Sequence, residues 1–179
     1  MKQKLFAVLV SLLVFAVVSP ATAQEYFNFK SPKYGFSINI PQGFEMDGME
    51  SKFTSWSLAP SEDAEIYGTV IPMITVTTME VPKRYSLKTY YVRKLNSIKK
   101  IMDEPDSTFE DLKTLDFPGG YGLMVKDMIK NDPQAINHWF IHFYGNGRNY
   151  FIDISGSYTY LKKNKNVFKH LVESFTIFK

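Results

Sequence analysis

Residues 109–158 read FEDLKTLDFPGGYGLMVKDMIKNDPQAINHWFIHFYGNGRNYFIDISGSY. Three turn signals cut this stretch: Pro118-Gly119-Gly120, Asn131-Asp132-Pro133 and Gly145-Asn146-Gly147. Glycine reaches positive φ without a Cβ clash and proline cannot donate to a ladder, so both punctuate elements. The last signal holds Asn-Gly, the pair favoured in tight hairpins. The pieces between the turns are Phe109–Leu115, Tyr121–Ile129, Ala135–Tyr144 and Asn149–Tyr158. They carry many aromatic and β-branched residues, which fit a pleated, half-buried surface. Links this short join antiparallel neighbours, because a parallel crossover needs about a dozen residues or more. The stretch therefore predicts an antiparallel meander.

Working outward, Tyr26–Lys30 is a short strand candidate, followed by a turn at Ser31-Pro32-Lys33. Tyr34–Ile40 alternates, with Phe36, Ile38 and Ile40 on one side and Ser37 and Asn39 on the other, until Pro41 stops the ladder. Phe44, after the Gln42-Gly43 turn, is expected to fold back on the core. Phe53–Ala59 and Thr69–Val81 are further strands, the second with an edge or bulge at Pro72. Ser86 then caps a helix whose apolar residues Leu87, Tyr91, Leu95, Ile98 and Met102 recur on one face, and Pro105 ends it. A last helix is predicted from about Lys163 to Glu173, with Val167 or Phe168, Leu171 and Val172 inward, and Ser174–Phe178 reads as a closing strand. No linker or repeat divides residues 24–179, so one domain is expected. The order predicts an α+β fold, an antiparallel β-sheet covered by helices.

The N-terminus has a different character. Lys2 and Lys4 precede Leu5–Val18, apolar except for Ser11, and Ser19-Pro20 leads into Ala21-Thr22-Ala23. That is the order of a secretory signal, predicting cleavage before Gln24 and a periplasmic or secreted protein. Such a run is also shorter than the roughly 20 residues a membrane span needs. Lys2 and Lys4 account for two of the three formal positive charges, so the exported chain is nearly neutral. Near neutrality disfavours nucleic-acid binding, which depends on neutralising many phosphates. With no cysteine there is no disulfide, no thiol chemistry and no cysteine-borne lipid anchor. Stability must come from the core, and 15 Phe, 11 Tyr and 2 Trp supply its bulk.

Tyr34-Gly35-Phe36-Ser37-Ile38-Asn39-Ile40-Pro41-Gln42-Gly43-Phe44 resembles the opening of PsbP-like domains, where a Tyr-Gly-Phe strand runs into Pro-x-Gly and an aromatic residue. The central helix, the glycine-bearing hairpins and the terminal helix ending in Ser174-Phe175 look like that family in order. The resemblance implies an α/β/α sandwich. It also implies a binding role, since its members include extrinsic photosystem II subunits and a small Ran-binding import factor that dock on proteins. Gly35 has a structural reading too: it lets a neighbouring ring or backbone pack closely.

Motifs of catalysis are missing from the sequence. His138 and His142 sit four apart in a predicted strand, so their Cα atoms lie about 14 Å apart, too far to chelate one zinc easily. They are read as cross-strand polar or aromatic contacts, and His170 as a surface residue. Glu62-Asp63-Glu65 and Asp103-Glu104-Asp106 lack the spacing of a calcium loop and are read as solvated, with a weak divalent-cation site at Asp103, Glu104 and Asp106 left open. Gly119-Gly120-Tyr121-Gly122 is a hairpin turn rather than a phosphate loop, and Ser155-Gly156-Ser157 is not a nucleophile elbow. Lys83, Arg84, Lys88, Arg93, Lys94, Lys99 and Lys100 form either a docking patch or the solvated face of a helix.

The expectation is an exported, non-catalytic module that docks on an envelope or secreted protein and needs no cofactor. Arg93, Lys100, Tyr90 and Trp56 are the candidate contact residues. The alternatives are a carrier holding a small apolar ligand or lipid between the central helix and the sheet, a photosystem-II-associated extrinsic protein, and a hydrolase joining His138 or His142 to a nearby Ser and Asp. A deep cavity would favour the carrier, and an exposed aromatic patch the protein binder.

Overall fold

The computed structural model describes residues 25–47, 54–60 and 70–178. The signal segment, the Glu62-Asp63-Glu65 loop and the predicted strand start at Thr69 lie outside them. The strands are β1 (Tyr26–Ser31), β2 (Phe36–Pro41), β3 (Phe44–Asp47), β4 (Thr54–Pro60), β5 (Met73–Glu80), β6 (Phe109–Leu115), β7 (Tyr121–Asp127), β8 (Asn137–Gly145), β9 (Arg148–Gly156) and β10 (Thr176–Ile177). The helices are α1 (Leu87–Met102), α2 (Tyr158–Lys163) and α3 (Lys165–Glu173).

The meander is present. A seven-stranded antiparallel sheet runs in the order β3-β4-β5-β9-β8-β7-β6. Asn146 and Gly147 make the β8–β9 turn with φ of 48° and 73°, as the Asn-Gly signal requires. The first hairpin departs from the large sheet and forms a three-stranded layer of its own, β1-β2-β10. Period-two alternation then decides what each face of the large sheet buries. Trp139, Ile141 and Phe143 of β8, with Tyr150, Ile152 and Ile154 of β9, face the small sheet and the terminal helices. There they meet Phe36, Ile38 and Ile40 of β2 and Phe168 and Leu171 of α3, so this is the larger core. On the opposite face α1 covers Leu123, Val125 and Tyr144, with Ile98 buried and Leu87, Tyr91, Leu95 and Met102 half-buried against it. The layers are helix, sheet, then small sheet with helices: an α+β sandwich.

Most strand ends move by one to a few residues from the sequence reading, and two larger differences fall near the C-terminus. The strand predicted to reach Tyr158 ends at Gly156, because the Ser157 hydroxyl accepts from the Tyr160 amide at 3.3 Å and starts a helix. The single terminal helix is two, joined at Asn164. Pro72 sits just before β5, whose ladder begins at Met73. Phe44 is buried, as expected.

Gly35 has a specific cause. Its φ is +69°, and a Cβ there would lie 2.5 Å from the Phe178 carbonyl oxygen. The Phe178 amide donates to the Gly35 carbonyl at 2.8 Å, and the Tyr150 hydroxyl donates to the Tyr34 carbonyl at 2.8 Å. The Tyr-Gly-Phe segment thus ties the chain's end to β9.

Candidate functional site

The site is built around α1. Ser86 caps it, its hydroxyl accepting from the Thr89 amide at 3.1 Å, and Lys99 and Lys100 in the last turn suit the negative end of the helix dipole. The sixteen residues of α1 hold five cations and no carboxylate. None of Lys83, Arg84, Lys88, Arg93, Lys94, Lys99 and Lys100 forms an ion pair with a described residue.

Arg93 is held in place without an acid. Its guanidinium lies over the Tyr85 ring, 4.3 Å from the centroid, and donates to the Tyr85 hydroxyl at 2.7 Å. Arg84 approaches the same ring at 5.0 Å. Lys100 is exposed on the same helix, and Val92 and Ile101 are 39% and 37% exposed. Tyr90 is half-buried instead of free. Its ring stands edge-on to Tyr144, 6.0 Å between centroids, and tilts against Tyr85 at 6.3 Å. It belongs to the helix–sheet contact, packed against the same cluster as the predicted inward residues. Trp56 lies in β4 opposite Val76, and its side chain is outside what is described.

Beneath one edge of α1 runs a groove of about 340 Å³. Phe109, Val125, Phe140 and Phe151 line it from the sheet, and Ile98 and Ile101 from the helix. Its polar members are Lys94, His142 and Asn149. His142 is 6% exposed, stacks on Phe151 at 4.7 Å and joins Asn149 Oδ1 through Nδ1 at 3.3 Å. Burial first, and then the nearby Lys94 charge, lower its pKa to about 3, so the ring is neutral at physiological pH. Lys94 is exposed, and the partial desolvation of its ammonium lowers its own pKa.

His138 lies four residues back on the same face and makes a different contact. Its Nδ1 meets Asp153 Oδ1 at 2.9 Å, and this hydrogen bond raises its pKa against the opposing effect of burial. Its ring stacks on Phe140 at 5.0 Å. Ser155 is the Cα partner of His138 across the ladder, but no side-chain hydrogen bond joins them. Asp, His and Ser are therefore neighbours without the base-to-nucleophile contact that hydrolysis uses. Each histidine is thus engaged in the cross-strand polar and aromatic contacts read from the sequence. His170 is exposed and packs on Tyr26 at 4.2 Å. Among the described residues no three His, Asp or Glu side chains converge as a metal site; Asp103, Glu104 and Asp106 occupy the turn after α1.

A second groove, about 410 Å³, opens on the other face between α3 and β6–β8. Trp139, Leu115, Met124 and Val172 form its floor, and Lys113, Lys126, Lys165 and Lys169 its rim. Three of these lysines are already engaged: Lys113 and Lys126 with Asp111 at 2.8 and 2.6 Å, and Lys169 with Glu173 at 3.5 Å. Asp111 has a φ of 58° at the bulge of β6, which aims its carboxylate at both.

Sequence reasoning placed Arg93 and Lys100 correctly on a helix but missed Tyr85, which pins Arg93 across the cap. It classed Lys94 with the outward cations and gave His142 no role beyond a contact. The only available signal was the position of His142 in a strand that a helix must cover.

No family model matches the sequence, and no curated protein matches it. Solved structures do share the architecture. Cyanobacterial PsbP (CyanoP) from Synechocystis sp. PCC 6803 aligns with TM-score 0.60 at 12% identity, covering 92% of this chain and 99% of that one. LpqN, involved in cell envelope biogenesis of Mycobacterium tuberculosis, aligns with TM-score 0.56 at 9% identity, covering 88% and 93%. The Saccharomyces cerevisiae Ran-binding protein Mog1p aligns with TM-score 0.52 at 12% identity, covering 87% and 96%. The chain has the PsbP-like fold, as the Tyr34–Phe44 segment implied.

Proposed function

We propose that this protein is an exported, non-catalytic module of the cell envelope that docks on an acidic surface of a protein partner through the basic side of α1. One observation carries the reading: α1 holds five cations and no carboxylate, none in an ion pair with a described residue; Lys94 lines the groove, and of the other four Arg93 is fixed in place by Tyr85. A fixed guanidinium loses less side-chain entropy on binding, and exposed Val92, the next residue on the helix, adds apolar area that excludes water. Fold neighbours described as a Ran-binding protein and an envelope-biogenesis protein are in keeping with it. Export rests on the segment before Gln24. No helix among the described residues is long and apolar enough to cross a membrane.

The test is a photo-cross-linker at Val92 in intact cells. One dominant envelope protein should be trapped, and Arg93→Glu with Lys100→Glu should reduce its yield several-fold, as should added salt. Equal yield after charge reversal refutes the docking surface. Turnover in a hydrolase screen that disappears in a folded His138→Ala variant refutes the non-catalytic part. A second reading, carriage of a small apolar ligand, is favoured by the phenylalanine-lined groove beneath α1.

A further inference from the structure

We infer that the groove beneath α1 binds an apolar, ring-sized molecule carrying a hydroxyl group, the hydroxyl donating to His142 Nε2 and accepting from the Lys94 ammonium. The inference rests on the carrier reading and names its ligand class. It begins with an unfilled hydrogen-bonding position. His142 is 6% exposed, and its one hydrogen bond among the described residues, to Asn149, uses Nδ1. With Asn149 presenting Oδ1, the Nδ1–H donates and Nε2 is left as a bare acceptor on a ring that lines the groove. Nε2 is not among the fully enclosed side-chain atoms that lack a partner, so on a residue otherwise buried it stays open toward the groove, where a ligand hydroxyl can reach it.

Lys94 supplies the complementary half. It lines the same groove, lies close enough to bias the titration of His142, and has no ion pair with a described residue. An acceptor and a cationic donor lining one groove select an oxygen that both gives and receives a hydrogen bond. A hydroxyl does so. A carboxylate would turn lone pairs toward His142 Nε2, and an ether cannot donate. The remaining walls are Phe109, Phe140, Phe151, Ile98 and Val125, which suit a flat or ring-bearing apolar body. At about 340 Å³ the groove lies at the small end of ligand sites.

Calorimetric titration of the unmodified protein at pH 7.5 with four probes tests this: 1-naphthol, 1-methoxynaphthalene, naphthalene and 1-naphthoate. We expect 1-naphthol to bind roughly tenfold tighter than its methyl ether, the equivalent of one net hydrogen bond. His142→Phe should erase that preference while leaving the weak binding of naphthalene, and Lys94→Met should reduce it. Equal binding of naphthol and its ether overturns the hydroxyl inference but leaves a carrier of apolar ligands standing. Tightest binding of 1-naphthoate also overturns it, in favour of an anion site at Lys94. No binding by any probe overturns both. The probe series on the unmodified chain gives its answer even if a variant fails to fold.

Discussion

Acidification should destabilise this fold through one side chain, His142. The ring is neutral and buried in the folded protein, with a pKa near 3, while in an unfolded chain it titrates near 6.5. Below pH 6.5 the unfolded chain therefore binds a proton that the folded one does not, and stability falls with pH. At pH 4.5 the unfolded form is favoured by the ratio of its protonated to neutral imidazole, about 100 to 1, which is about 2.5 kcal/mol relative to pH 7.5. The figure barely depends on the folded value so long as that stays below about 4. Two other shifted groups bear on the window. His138 has a raised pKa, so its contribution is present below pH 6.5 and lost as pH rises through its folded pKa; it opposes His142. Burial pushes the Asp111 carboxyl up, but Lys113 and Lys126 together pull it below the usual 3.8, so its contribution is lost only beneath that value. Comparison with His142→Gln, which keeps a donor for Asn149, cancels both. Urea unfolding followed by tryptophan fluorescence at pH 7.5 and 4.5 gives the four stabilities needed. The unmodified protein should lose about 2.5 kcal/mol more than the variant. A difference below about 0.5 kcal/mol would mean that His142 charges within the fold, and the groove is wetter than its burial implies.

Two further substitutions probe the packing around the same sheet. The Tyr144 hydroxyl is buried under α1 with no hydrogen-bond partner among the described residues, so Tyr144→Phe should leave stability unchanged or raise it by up to about 1–2 kcal/mol; a loss above 1 kcal/mol in urea unfolding would show an unseen partner. Gly35→Ala should destabilise by at least about 1 kcal/mol, from positive φ together with contact against the Phe178 carbonyl, and amide exchange at Phe178 should accelerate; unchanged exchange would refute the tie between the Tyr-Gly-Phe segment and the C-terminus.

By itself the sequence determined what depends on neighbours along the chain. Turn residues at 118–120 and 145–147 and the alternation between them specify the meander, because hairpin geometry and the two-residue period are local rules. Spacing from Leu87 to Met102 specifies a helix and its inward face for the same reason. The Tyr34–Phe44 segment carried the fold resemblance, and its glycine answers to a contact 143 residues away that only the folded chain displays. Tertiary structure alone decided which polar groups acquire unusual surroundings. His138 and His142 share a strand face and a residue type, yet one borders Asp153 at a half-open position and the other lies beneath α1, its ring hydrogen-bonded among the described residues only to Asn149. That difference comes from where α1 crosses the sheet, which no local rule encodes. Tyr90 likewise becomes core through Tyr144. Desolvation and cross-element contacts depend on distances between segments remote in sequence, so chemistry that rests on them emerges only once the layers have closed.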